Sequence, residues 1–148
     1  MSKVAAERKG NLFLVFAISM SIVIYGLVIV LLTSGGRSED LPDRMGSVRP
    51  VLWLLALALL AIAAWVVPRV AQGAAPESLL PGQVFRGRIF MAMLLCEGAA
   101  ILGLVLAFLS RRPGDFAIPA GAALLLVGAH VVPTTLRYYA ERERVEKG

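Results

Sequence analysis

The chain alternates long apolar runs with short polar connectors. Four runs stand out, from about Leu12 to Leu32, Val51 to Val67, Ile89 to Leu109 and Phe116 to Leu136, spanning residues 12–32, 51–67, 89–109 and 116–136. No lysine, arginine or aspartate falls inside them, and Glu97 and His130 alone interrupt the pattern with an acid or a base. A helix needs roughly 20 apolar residues to cross a hydrocarbon core about 30 Å thick. In that core every backbone N–H and C=O must be satisfied internally, which favours helices. The pattern therefore predicts an all-α membrane protein, one integral domain over residues 1–148 with four transmembrane helices. Connectors short enough to force antiparallel neighbours predict an up-down-up-down bundle of two hairpins.

The first run is longer than the apolar region of a usual secretory signal, and Thr33-Ser34-Gly35-Gly36 is a poor small-x-small cleavage site, so a retained helix is expected. The longest connector, Thr33 to Pro50, is a turn segment rich in Gly, Ser, Asp and Pro and leaves no room for a soluble catalytic domain. Pro50 and Pro119 fall near first turns, Pro68 and Pro133 near the opposite helix ends, and Asp115 is placed to cap the fourth helix. The sign-alternating tail Glu141 to Lys147 reads as a solvated extension of that helix.

Charge adds orientation. Ten of the 15 basic residues lie at the N-terminus (Lys3, Arg8, Lys9), in the middle connector (Arg69, Arg86, Arg88) and in the tail (Arg137, Arg142, Arg144, Lys147). By the positive-inside rule both termini are cytoplasmic, and the Arg- and Ala-rich composition fits a bacterial inner membrane. The net charge of +5 is dispersed over helix ends, with no stacked basic and aromatic face, so the expected partner is the lipid bilayer and not nucleic acid. Trp53, Trp65, Tyr138 and Tyr139 lie near window ends and read as an interfacial aromatic belt.

Chemistry is sparse. There is no Ser/His/Asp set, metal-ligand cluster, P-loop or nucleotide fingerprint, so no catalytic residue, metal or cofactor is expected and no autonomous catalytic site is indicated. Cys96 is alone and reads as a small packing residue. It belongs to a stripe of small side chains, Ala92, Cys96, Ala99, Gly103 and Ala107, of the kind that lets helix backbones approach in lipid. Ser19, Ser21 and Asn11 lie on the first helix, where serine commonly bonds its own backbone.

Glu97 is the exception. A carboxylate at mid-membrane costs about 2.5 to 3.5 kcal/mol on insertion scales, so its presence suggests a use. Desolvation penalises the charged form, and a carboxyl without a nearby cation is expected to be held neutral and able to bind and release protons. His130 is the candidate partner, since at about 1.5 Å per residue both groups lie roughly 10 to 14 Å inside the cytoplasmic boundary. Short matches also suggest a repeat of hairpins. Tyr25-Gly26-Leu27-Val28 parallels Leu102-Gly103-Leu104-Val105, Trp65-Val66-Val67-Pro68 parallels His130-Val131-Val132-Pro133, and Met20 stands opposite Glu97.

The segment from Ala71 to Leu109 resembles the polar loop and carboxylate helix of the proteolipid c subunits of rotary ATPases. Gln72, Pro76, Glu77 and Arg86 match the loop, and Cys96-Glu97-Gly98-Ala99-Ala100-Ile101-Leu102-Gly103-Leu104-Val105 matches the helix. That resemblance implies a proton-transport subunit with Glu97 as the ion-carrying carboxylate, acting with other membrane subunits or as a homo-oligomer. Leu102 replaces the family's tyrosine, the second helix lacks the partner helix's glycine ladder, and Gly98 and Ala99 follow the acid in place of hydroxyls, so the implied ion is a proton and not sodium. The alternative reading is a structural or assembly subunit in which Glu97 and His130 are buried polar packing contacts.

Overall fold

The computed structural model describes residues 3–34, 46–72, 74 and 79–147. They form α1 (Lys3–Ser34), α2 (Val48–Gln72), α3 (Gly82–Ser110), α4 (Gly114–Leu126), a π-helical turn (Val127–Val131) and α5 (Val132–Lys147). No strand occurs among the described residues. Four helical stretches are long and apolar enough to cross a membrane: Val4–Leu32, Val48–Gln72, Gly82–Ser110 and Gly114–Glu146. The observed helices overrun the charge-free windows because arginines and acids at helix ends remain helical, their side chains either reaching outward or, as with Arg49 and Asp115, pairing with one another. The tail is likewise helical to Lys147.

α3 is the hub, packing on α2, α4 and α1, whereas α1 lies against α3, α4 and α5. Consecutive α1 and α2 make at most marginal contact, so they are not a packed hairpin and the expectation of two hairpins needs correction. The reason lies in the connectors. Between α3 and α4 only a tight turn intervenes, whereas residues 35–47 separate α1 from α2 and do not force the two together. The matching glycines show the same asymmetry, because Gly103 faces α4 within its own pair while Gly26 also faces α4, against Phe116.

The α3–α4 turn has a legible local logic. Arg111 takes a left-handed conformation (φ 54°) that stops α3, and Pro113 follows it. Ser110 Oγ accepts the Arg112 N–H at 3.2 Å, and the N–H groups of Phe116 and Ala117 close on the Pro113 carbonyl at 3.1 and 3.0 Å. Asp115 is not the cap. Pro113 occupies that position without a side-chain hydrogen bond, and Asp115 turns into the bundle.

Further along, Pro133 has no N–H to give the Ala129 carbonyl. One turn earlier the helix widens, with the Val132 N–H reaching back to Val127 O, a π-type bond that absorbs the extra residue.

Ala92, Cys96, Ala99, Gly103 and Ala107 are all buried. Gly103 marks the closest approach: an added Cβ would meet Pro119 Cγ at 2.5 Å and the Asp115 carbonyl oxygen at 3.2 Å. Gly103→Ala should therefore push α3 from α4 and destabilise the bundle by about 1 to 3 kcal/mol. Gly121→Ala, on a face of α4 with nothing within 4 Å, should leave stability unchanged or raise it. Unfolding of both variants in the same detergent checks the pair, and equal stabilities would show that the α3–α4 approach is not close.

Candidate functional site

Glu97 lies near the middle of α3, at the seam with α1. Helical spacing explains its half-buried state. Met93 and Ala100, one turn before and after it, are fully buried, while Leu94 and Ile101 on the adjoining face are 43% and 41% exposed. The carboxyl thus sits at the border between packed interior and the apolar outer surface.

Its partner is Ser21 of α1. Ser21 Oγ lies 2.9 Å from Glu97 Oε1 and 2.7 Å from the Ile18 carbonyl oxygen. A hydroxyl has one hydrogen to give. If Ser21 donates to Ile18, the contact with Glu97 is completed by a hydrogen on the carboxyl donated to Oγ. If it donates to Glu97 Oε1 instead, as the 2.9 Å contact equally allows, the carboxyl is the acceptor. Ser19, by contrast, donates only to its own helix, to Val15 O at 2.8 Å.

The structure does not bring His130 to this site. His130 lies in the π-helical turn with its side chain exposed, and no hydrogen bond or ion pair joins it to Glu97 among the described residues. Equal depth does not give equal facing, and His130 faces outward. Met20, opposite Glu97 in the repeat, is 40% exposed. Pro76 and Glu77 of the loop lie outside the described residues.

Polar side chains also gather at both bundle ends. At one, Asp115 is 5% exposed and accepts from Ser110 Oγ at 2.6 Å, Arg49 at 3.0 Å and the Trp53 indole at 3.2 Å, tying the start of α2, the end of α3 and the start of α4. Trp53 is therefore a buried-network donor as well as a belt candidate.

At the other end, Tyr138 and Tyr139 are fully buried, which corrects their reading as belt residues. The Phe85 ring stacks on Tyr138 at 3.6 Å and meets Tyr139 edge-on at 6.4 Å. The Tyr138 hydroxyl donates to Leu80 O at 2.8 Å, and buried Asn11 donates to the Tyr139 hydroxyl at 2.6 Å. Arg142 pairs with Glu7 at 2.7 Å above them. Sequence position put these tyrosines at a window end, but α5 continues beyond it and supplies a further packed turn.

The missed signal was pairing across connectors. Arg49, Ser110 and Asp115 each flank a helix terminus, and alternation of helix direction would bring those termini to one end. No group of three or more His, Cys, Asp or Glu side chains able to hold a metal occurs among the described residues. Comparison of the chain with protein-family models, with curated proteins and with solved structures gives no match.

Proposed function

We propose that this chain is a small polytopic subunit of a membrane complex in which Glu97 binds and releases a proton at mid-membrane depth. The reading places the four apolar stretches across a bacterial inner membrane in up-down order with both termini cytoplasmic. It is supported by exposed apolar side chains such as Phe13, Leu54 and Leu125 on the outer surface. The single observation that carries the proton is the Ser21–Glu97 contact, in which Oγ can accept from a protonated Glu97 while donating its one hydrogen to Ile18 O.

Resemblance of the Glu97 helix to the rotary ATPase proteolipids supports the same chemistry. The border position, between buried Met93 and exposed Leu94, suits a carboxyl that must meet a partner subunit or a passing proton donor. A second reading is favoured by the same contact seen differently: Ser21–Glu97 joins α1 to α3, so the acid would serve as a polar tie in an assembly subunit, worth about 0.5 to 2 kcal/mol.

Labelling by a hydrophobic carbodiimide, which attacks protonated carboxyls from the lipid side, tests the first reading. Rapid modification of Glu97, declining as pH rises and absent in Glu97→Gln, is expected. A Glu97 that stays unmodified across the pH range, in a protein whose other carboxyls react, would sink the proton-binding reading and leave the polar tie.

A further inference from the structure

Away from Glu97, one face of the α2–α3 pair carries positive charge that no carboxylate among the described residues neutralises. The Arg69 guanidinium lies flat over the Trp65 ring, 3.2 Å from its centroid, and donates to the Trp65 carbonyl at 2.9 Å. Arg88 reaches across from α3 and donates to the Arg69 carbonyl at 3.4 Å. That carbonyl lies in the last turn of α2, where orphan acceptors and the helix dipole favour a cation. Capping thus occupies one Arg88 nitrogen and leaves the rest of its fork.

Neither arginine forms an ion pair among the described residues, in which Arg8, Arg49, Arg142 and Arg144 each face a carboxylate. Trp65 is 62% exposed despite being one of the largest apolar side chains. Down the same face of α2, at helical spacing, run Ile62, Ala58 and Leu55, all exposed. An indole, two guanidinium forks and an apolar track below them occupy one surface, with the charges at the helix ends.

We propose that Trp65, Arg69 and Arg88 form a binding site for an anionic phospholipid, the phosphate held between the two arginines and an acyl chain lying along Ile62, Ala58 and Leu55. Phosphate suits guanidinium because a fork of N–H donors meets two oxygens at once. Trp65 holds Arg69 against its ring and so limits the side-chain freedom that binding must remove. A zwitterionic lipid brings a cationic choline to the same place and loses that advantage. Basic pockets between helices on the cytoplasmic side of a membrane are the setting in which such headgroups are held. The site rests on the membrane reading above.

The test uses the full chain reconstituted into vesicles of phosphatidylcholine with a minor fraction of phosphatidylglycerol. Native mass spectrometry of the extracted protein then counts the lipids retained. Retention of phosphatidylglycerol over phosphatidylcholine is expected in the wild type, and the Arg69→Gln/Arg88→Gln variant should lower it at least about tenfold, from roughly 1 kcal/mol per arginine. Arg137→Gln, which removes an exposed charge from α5, should leave retention unchanged.

Equal loss in both variants would mean diffuse attraction of the surface and overturn the site. Release of the lipid by inorganic phosphate alone would show that the arginines take the free anion and would overturn the lipid assignment. Extraction with alkaline carbonate separates the two failures. A chain stripped from the vesicles refutes the membrane reading, whereas a retained chain without lipid preference refutes the site alone.

Discussion

Asp115→Ala is expected to destabilise the bundle by about 3 kcal/mol, the lower end of the cost of removing one partner from a buried ion pair. The side chain, at the start of α4, accepts three hydrogen bonds from two other helix ends, and one of its donors is the Arg49 guanidinium. Deleting the carboxylate removes a countercharge 3.0 Å from an arginine whose side chain is only 25% exposed. That residual exposure lets water screen part of the loss, which is why the upper end of the range does not apply.

Asp115→Asn keeps shape and one acceptor but loses the charge, and should fall between wild type and alanine. Ser110→Ala removes one bond to Asp115 and the acceptor for the Arg112 N–H, at about 1 kcal/mol. Denaturant titration in a single detergent orders the three. Should Asp115→Ala cost no more than Ser110→Ala, within about 0.5 kcal/mol, the cluster does not act as a coupled network.

What could be read from the sequence was set by the range of the physics involved. Helix existence follows from a local property, apolar length, and all four stretches are present, most of their ends moved outward, the fourth as far as Glu146. Which helices touch is not local. α1 and α2 were paired because they are consecutive, but the connector permits α1 to pack on α3, α4 and α5 instead.

The same limit applies to the candidate site. Glu97 was conspicuous because one acid in hydrocarbon is costly wherever it faces. His130 was chosen as its neighbour on depth and on the tight turn joining the third and fourth helices, and neither fixes rotation. His130, in the π-helical turn, is exposed, while Ser21, read as bonding its own helix, reaches both its backbone and the acid. Tyr138 and Tyr139 were misplaced for a related reason, since Phe85 of α3 and Asn11 of α1 pack against them and contacts between helices are not read from position along the chain.

Glu97→Gln should leave the bundle intact and abolish proton release. The glutamine amide can donate to Ser21 Oγ while Ser21 donates to Ile18 O, so it reproduces the hydrogen bonding of the protonated acid without a proton that can leave. Stability should stay within about 0.5 kcal/mol of wild type, the size of ordinary tolerated substitutions. Infrared difference spectra of the reconstituted protein should lose the deuterium-sensitive carbonyl band of a protonated carboxyl, and flux through the assembled complex should fall to background.

Ser21→Ala separates geometry from proton chemistry. It removes the polar link between α1 and α3, at about 0.5 to 2 kcal/mol, but leaves the carboxyl, so the band persists at a shifted frequency. In the double variant the stability terms should couple, because both changes act on one contact. A polar tie alone predicts that Glu97→Gln is silent in every readout, since the tie is preserved. A fully assembled Glu97→Gln complex with undiminished proton flux would therefore assign Glu97 to packing, and loss of flux with stability intact would assign it to the proton.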